Sequence, residues 1–190
     1  MIIGVTGSIG SGKSTISKIF GKNGFKVISA DEISHSITKK NQIGYKKIIQ
    51  NFGTKILDKN KGIDRKKLGD IVFGSKSELK KINSILHPII DSEIKSRITK
   101  SKNKDIVLDI PLLLETDAKN LVDKVVVVNS SRKNILKRIG KKFTEKKIES
   151  ILNNQMPFSE KKKFADFIVV NDADEKNLEP QIKKIIKKIK

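Results

Sequence analysis

The first fifteen residues combine an apolar run with a glycine-rich loop that could bind phosphate. Ile2 to Thr6 is apolar, and the next residues are Gly7-Ser8-Ile9-Gly10-Ser11-Gly12-Lys13-Ser14-Thr15, which fit the pattern G-x-x-x-x-G-K-[ST]. Glycines let successive backbone N–H groups point at phosphate oxygens, while Lys13 supplies positive charge to the β- and γ-phosphates and Ser14 a hydroxyl ligand for Mg²⁺. The alternative is a glycine-rich turn that binds nothing. Because the pattern lies between a predicted strand and a predicted helix, we expect a nucleoside triphosphate site.

Three other residues have types and positions that suit phosphoryl transfer. Asp31 follows the apolar run Phe25 to Ile28, so it lies near the carboxyl end of a predicted strand, where open α/β sheets bind ligands. It could orient an acceptor hydroxyl, or it could cap a helix that begins at Glu32. Arg138 is either a phosphate-binding arginine or a solvated charge. Asp109 either helps to hold Mg²⁺ through water or simply ends a strand.

The composition excludes several classes of protein. The chain has 190 residues, of which 36% are hydrophobic and 33% charged, and this balance is typical of a soluble globular protein. It contains no cysteine, which excludes a disulfide framework and cysteine catalysis, and its histidines are His35 and His87. No apolar run approaches the length of a membrane span, and no signal-peptide pattern is present. We therefore expect a cytoplasmic protein without a membrane partner.

The formal charge of +20 raises the possibility of a nucleic-acid partner. Nearly all of the excess is lysine, because arginine occurs only at Arg65, Arg97, Arg132 and Arg138. Proteins that read nucleic acids favour arginine and aromatic stacking platforms, whereas aromatic residues make up 5% of this chain. We therefore predict no nucleic-acid partner. The alternative, a nucleic-acid-dependent ATPase, predicts activity that DNA or RNA stimulates and that falls steeply with salt.

Short apolar runs separated by helical patterns predict the fold. The predicted strands are Ile2 to Thr6, Phe25 to Ile28, Ile106 to Ile110, Lys124 to Asn129 and Phe167 to Val170. Continuous apolar strands are typical of parallel sheets that are buried on both faces. The sequence therefore predicts an α/β fold, a doubly wound five-stranded parallel sheet with a helical insertion and a lid. The predicted core comprises residues 1–31, 101–135 and 161–190, the insertion 32–100 and the lid 136–160. Within the insertion, His87-Pro88 is expected to break or kink a helix.

Several motifs in order along the chain resemble those of dephospho-CoA kinases. The likeness spans nearly the whole chain, and its most specific part is Leu86-His87-Pro88 followed by Pro111-Leu112-Leu113-Leu114-Glu115. The other matching positions are Thr6 to Thr15, Ala30-Asp31, Phe52-Gly53, Asp64-Arg65, Gln155, Lys163, Ala165-Asp166 and Asn171. The resemblance implies a fold like that of nucleoside monophosphate kinases. It also implies transfer of the ATP γ-phosphate to the 3′-hydroxyl of the dephospho-CoA ribose, the last step of coenzyme A synthesis.

The resemblance also implies roles for residues in this sequence. ATP is the co-substrate, with Mg²⁺ as cofactor, and residues 32–100 form the domain that binds dephospho-CoA. The catalytic residues would be Asp31, Lys13 and Arg138, with Asp31 contacting the acceptor hydroxyl and Arg138 reaching the phosphates from the lid. The ATP phosphates would be bound by Gly10, Ser11, Gly12, Lys13, Ser14 and Thr15. The acceptor pocket would be lined by His87, Leu112, Leu113 and Glu115.

The sequence departs from this family at two places. A second lid arginine is replaced by Lys141 or Lys142, and lysine lacks the bidentate fork of arginine. The family's N-x-G after the last strand reads Asn171-Asp172-Ala173, which changes the residues expected near the adenine. The rival hypotheses are another small-acceptor P-loop kinase, acting on a nucleoside monophosphate or shikimate, and a GTPase switch, for which no N-K-x-D motif is evident.

Overall fold

A computed structural model describes residues 1–172 and 177–190. The chain divides into two compact units, a sheet unit formed by Met1–Ser29 and Ser101–Lys190 and a helical unit formed by Ala30–Lys100. The predicted lid, residues 136–160, belongs to the sheet unit, and its action as a lid stays a prediction. Ala173, one of the residues expected near the adenine, lies outside the described residues.

The sheet has five parallel strands in the order β2-β3-β1-β4-β5. The strands are β1 (Ile2–Gly7), β2 (Lys26–Ser29), β3 (Ile106–Asp109), β4 (Lys124–Asn129) and β5 (Phe167–Val170). The helices are α1 (Lys13–Lys22), α2 (Ala30–Ile37), α3 (Ile43–Phe52), α4 (Arg65–Gly74), α5 (Lys76–Lys100), α6 (Arg132–Ile139), α7 (Glu145–Asn153), α8 (Phe158–Lys161) and α9 (Leu178–Ile189). The predicted five-stranded parallel sheet flanked by helices is confirmed.

The core of the sheet unit explains why β1, β3 and β4 are largely apolar, whereas the edge strand β5 leaves Ile168 and Val170 exposed. On one face, α1 and α9 cover the sheet, and Ile16, Phe20 and Ile182 are fully buried against strand residues such as Val5 and Val126. On the other face, a methyl group on Gly4 would lie 2.4 Å from Leu113 and 3.1 Å from Val122. Glycine in the middle of β1 therefore lets the segment after β3 pack directly on the sheet.

The helical unit is built around a second apolar cluster. Ile48, Phe52 and Ile56 pack with Val72 of α4 and Ile82 of α5. The Asp64 carboxylate accepts hydrogen bonds from the N–H groups of Lys66 and Lys67, so it caps α4, which begins at Arg65.

Of the break or kink predicted at His87-Pro88, the break is wrong, because α5 continues through Pro88 to Lys100. Proline removes one helical hydrogen bond, but the half of α5 before Pro88 is anchored by Ile82 and the half after it by Ile94, both buried. Tertiary packing therefore outweighs the local penalty. Across residues 1–172 and 177–190, no helix, α5 included, is both long and apolar enough to cross a membrane.

Candidate functional site

The glycine-rich loop joins β1 to α1 in the conformation that its glycines permit. We call residues Gly7 to Thr15 the P-loop. Gly10 and Gly12 have φ angles of +72° and +95°, in the left-handed region that side chains disfavour. At Gly7, a methyl group would lie 2.3 Å from the carbonyl oxygen of Val128. The glycine positions in the motif are therefore required by backbone geometry and by close approach of β4.

The side chains of the P-loop present a charge and hydroxyls at the start of α1. Lys13 is 9% exposed, and its Nζ donates to the carbonyl oxygen of Ser8 at 3.1 Å. Ser11 is buried, and its Oγ has no hydrogen-bond partner among the described residues. Ser14 is exposed on the first turn of the helix, whose N-terminus attracts anions. This donor set fits a nucleotide phosphate and a cation bound to it.

Arg138, which the resemblance places in the lid, lies against the base of the P-loop. Its Nη1 donates to the carbonyl oxygen of Gly10 at 3.2 Å and to Ser130 Oγ at 2.9 Å. Its Nη2 donates to the backbone oxygen of Asn171 at 2.7 Å and to the side-chain oxygen of Asn171 at 3.1 Å. The guanidinium therefore links the P-loop to the ends of β4 and β5, and its contact with a phosphate stays a prediction.

Asp172 fixes the start of the helix that carries Arg138. Its Oδ1 accepts from Ser131 N at 2.6 Å, from Asn134 Nδ2 at 3.0 Å and from Ser130 Oγ at 3.0 Å. The hydrogen bond from Ser131 N–H makes the largest contribution, and the one from the Asn134 side chain the next largest. They lower the pKa of the Asp172 carboxyl from its ordinary 3.8 to about 2. A carboxylate at a helix N-terminus also interacts favourably with the helix dipole.

Because the folded-state pKa of Asp172 is depressed, its stabilisation is full above about pH 4 and is lost as the pH falls towards about 2. We expect Asp172→Asn to lower the free energy of unfolding by about 1 kcal/mol at neutral pH, a value reduced for solvent screening of an exposed carboxylate. Urea unfolding of both proteins at several pH values measures the difference. A difference that stays constant down to about pH 2 would contradict the assignment.

Two contacts tie the segment after α7 to the rest of the sheet unit, and the sequence did not reveal either. Gln155 Oε1 accepts a hydrogen bond from the P-loop N–H of Ile9 at 3.0 Å. Glu115 Oε1 accepts from Lys161 Nζ at 2.7 Å and from Met156 N at 3.0 Å, and the Lys161 side chain is 1% exposed. Glu115 therefore holds a buried ion pair, although its Oε2 has no partner among the described residues.

The two aspartates follow the carboxyl ends of neighbouring strands. Asp109 ends β3, is 5% exposed, and is in register with Val5 of β1 and Ser29 of β2. Asp31 is the second residue of α2, which begins directly after β2, and it is exposed. The alternative in which Asp31 caps a helix starting at Glu32 is wrong, because the helix already begins at Ala30.

The predicted acceptor-lining residues differ in their environments. Leu113 is fully buried against Gly4, so its side chain packs the sheet, whereas Leu112 is half-buried. His87 is half-buried on α5, beside Leu86. The structure therefore assigns Leu113 to the core and leaves Leu112 and His87 accessible enough to contact a ligand.

The helical unit contains a cavity of about 470 Å³ with an apolar floor and a basic rim. Ile48, Val72 and Leu86 are among the apolar lining residues, and the polar ones include Ser34, His35, Thr38, Lys39, Lys40 and Arg65. Arg65 Nη1 lies 2.7 Å from His35 Nε2, and because a guanidinium can only donate, Nε2 is the acceptor. The sequence hinted at Arg65 through the Asp64-Arg65 motif but gave no reason to select His35.

Comparisons with known proteins agree across the length of the chain. A family model described as dephospho-CoA kinase matches residues 1–177. A dephospho-CoA kinase from Fusobacterium nucleatum is 43% identical over 187 residues, which cover 97% of this chain and 95% of that protein.

Solved structures give the same result for the fold. A dephospho-CoA kinase from Campylobacter jejuni is 37% identical, with a TM-score of 0.69, and the match covers 99% of this chain and 96% of that one. A shikimate kinase from Acinetobacter baumannii has a TM-score of 0.56 at 15% identity, covering 99% of this chain and 92% of that one. The second likeness concerns the fold alone.

Proposed function

Because this chain belongs to the dephospho-CoA kinase family, which uses ATP to phosphorylate dephospho-CoA in the last step of coenzyme A biosynthesis, we propose that its P-loop binds ATP and that Asp31 binds the acceptor hydroxyl. The observation that carries this assignment is the P-loop itself, with Gly10 and Gly12 in left-handed conformations and Lys13 and Ser14 at the start of α1. These groups suit the triphosphate of ATP.

Each P-loop residue has a distinct part in holding the triphosphate. Backbone N–H groups from Gly10 to Thr15 bind the phosphate oxygens, and the Lys13 ammonium neutralises charge on the β- and γ-phosphates. The Ser14 hydroxyl would hold Mg²⁺, which would neutralise charge that develops on the phosphates. Among the residues described, no group of three or more acidic or histidine side chains could hold a metal ion. In this proposal Asp109 would help to hold the cation through water.

Asp31 orients the acceptor in this proposal. The ribose 3′-oxygen attacks the γ-phosphorus while the bond to the β–γ bridging oxygen breaks, giving ADP. In a loose transition state the hydroxyl proton leaves late, so a carboxylate that accepts a hydrogen bond from the hydroxyl suffices to align it. Asp31 is exposed on the first turn of α2 and can accept such a bond.

The cavity of the helical unit suits the remainder of the acceptor. Dephospho-CoA carries an extended pantetheine arm and a diphosphate, and the cavity offers an apolar floor beside Arg65, Lys39 and Lys40. We assign the diphosphate to this basic rim, since arginine binds phosphate through paired hydrogen bonds. His87, Leu112 and Glu115 remain proposed contacts of the acceptor.

Arg138 supplies positive charge beside the P-loop, and a bond to a phosphate oxygen would replace one of its present neutral acceptors. We expect Arg138→Lys to lower kcat at least about tenfold, because lysine cannot reproduce the planar fork. Dephospho-CoA binding should stay unchanged, as measured by calorimetry. A loss confined to acceptor affinity would show that Arg138 serves the acceptor instead.

A coupled assay of ADP release tests the function directly. We expect turnover with dephospho-CoA and none with nucleoside monophosphates or shikimate, and absence of turnover with dephospho-CoA would overturn the proposal. Adding DNA or RNA to the same assay tests the nucleic-acid-dependent alternative, for which we expect no stimulation. The cytoplasmic location stays a prediction, and fractionation of cells that produce the protein would test it.

A further inference from the structure

Three consecutive P-loop residues are each held by a side chain from a distant part of the chain. The bonds are Ile9 N–H to Gln155 Oε1 at 3.0 Å, Arg138 Nη1 to the Gly10 oxygen at 3.2 Å, and Asn171 Nδ2 to the Ser11 oxygen at 2.7 Å. We call Arg138, Gln155 and Asn171 the clamp. Its members come from α6, the segment after α7 and the end of β5. Three peptide groups of the loop, those that join Ser8 to Ile9, Gly10 to Ser11 and Ser11 to Gly12, are thus each held by a distant side chain.

Fixing one side of a trans peptide group also fixes the other side, because C=O and N–H point in opposite directions. Asn171 Nδ2 donates to the Ser11 carbonyl, which therefore points towards Asn171, and the N–H of Gly12 points away from Asn171. Gln155 acts in the same way on the peptide between Ser8 and Ile9. The Ser8 carbonyl then points towards the loop, where it accepts from Ser11 N and from Lys13 Nζ, each at 3.1 Å. Gln155 therefore acts on Lys13 through one peptide group.

Asn171 fits the loop closely as well as bonding to it. It is 5% exposed, and a methyl group on Gly12 would lie 2.0 Å from its Nδ2. Its backbone oxygen accepts from Ser130 Oγ at 2.8 Å and from Arg138 Nη2 at 2.7 Å, so two clamp residues are bonded to each other. Together these hydrogen bonds hold Asn171 in one position.

The clamp has an energetic consequence for ligand binding. A loop with several glycines loses much conformational entropy when it is ordered. If the loop is ordered when the protein folds, ATP binding does not have to offset this loss of entropy, and the affinity for ATP rises. The three bonds hold the peptide groups next to the left-handed residues Gly10 and Gly12.

We propose that Gln155 and Asn171 are positioning residues that hold the P-loop peptides in the orientation that binds the ATP phosphates. The inference rests on the proposed role of the P-loop as the ATP site. Neither residue needs to touch the nucleotide, since each acts through the backbone of Ile9 or Ser11. The expected signature is a selective loss of ATP affinity, with the acceptor site unaffected.

Calorimetric titration of the full-length protein with MgATP, and separately with dephospho-CoA, tests the proposal. Gln155→Leu removes the hydrogen-bond acceptor and keeps a side chain of similar size, and Asn171→Ala removes the hydrogen-bond donor. We expect each to raise the Kd for MgATP about tenfold, the effect of losing one hydrogen bond that orders the loop, and to leave the Kd for dephospho-CoA within about twofold. Gln155→Glu keeps an acceptor oxygen and should stay within about threefold of the parent protein.

Controls separate this inference from its alternatives. Gln50→Leu, an exposed position on α3, makes the same chemical change and should leave MgATP binding unaltered. MgATP affinity within about twofold in Gln155→Leu, or equal weakening in Gln155→Leu and Gln155→Glu, would overturn the role of the bond. Parallel losses of both ligands with a lower Tm would indicate a purely structural role and also overturn it. If the parent protein binds no MgATP, the proposed function fails instead.

Discussion

Asp31→Asn is expected to lower kcat about 100- to 10,000-fold, the range found when a side chain that positions or accepts a proton is removed. Asparagine has nearly the same shape, but it carries no charge and is a weaker acceptor for the hydroxyl of dephospho-CoA. ATP contacts the P-loop in our proposal, so the Kd for MgATP should stay within about twofold. Steady-state kinetics with dephospho-CoA and calorimetry with MgATP measure the two effects.

The matched control for Asp31→Asn is Glu78→Gln, which also removes one carboxylate from the helical unit. Glu78 makes a surface ion pair with Lys81 at 4.0 Å and has no proposed contact with ligand. A surface ion pair contributes little to the free energy of folding, so Glu78→Gln should retain the kcat of the parent protein. If Asp31→Asn also retains its turnover, Asp31 does not orient the acceptor.

Gly12→Ala is expected to weaken MgATP binding at least about 100-fold. Alanine at a φ of +95° is strained by about 1–2 kcal/mol, and its methyl group would lie 2.0 Å from Asn171 Nδ2. Relief of the clash requires the loop to leave its phosphate-binding conformation and lose the Asn171 bond, worth about 1 kcal/mol or more. MgATP binding must then restore the strained backbone conformation and the Asn171 hydrogen bond. Their combined cost of about 3 kcal/mol corresponds to about 100-fold in Kd.

Two measurements keep the Gly12 prediction separate from misfolding. Dephospho-CoA affinity should be unchanged in Gly12→Ala, because its proposed cavity belongs to the helical unit. Gly74→Ala serves as the control, since nothing lies within 4 Å of a methyl group at that position of α4. MgATP affinity near that of the parent in Gly12→Ala would show that the loop conformation is unimportant for binding.

The sequence was sufficient for features that depend on local spacing. The P-loop is a contiguous pattern, and Val125 to Val128 of β4 form an uninterrupted apolar run because both faces of that strand are buried. The same local reasoning failed at Pro88, where buried residues on both sides keep α5 continuous.

The surroundings of the P-loop could not be predicted in this way. Gln155, Arg138 and Asn171 are 146, 128 and 160 residues away from the groups that they bind. Their partners are backbone atoms, which every residue has, so no residue type in the loop identifies them. Leu113 and Glu115 belong to one contiguous motif but have different environments. Leu113 lies in the core, whereas Glu115 forms a buried ion pair with Lys161.

The fold class, the P-loop and the family thus followed from the residues alone, since each depends on residue types at short, fixed spacings. What holds the P-loop in place, and which motif residues are buried, became known from the three-dimensional arrangement of the strands and helices. The physical reason is that a hydrogen bond or a packed contact depends on direction and distance in space, and these are set when strands such as β1, β4 and β5 come together in the sheet.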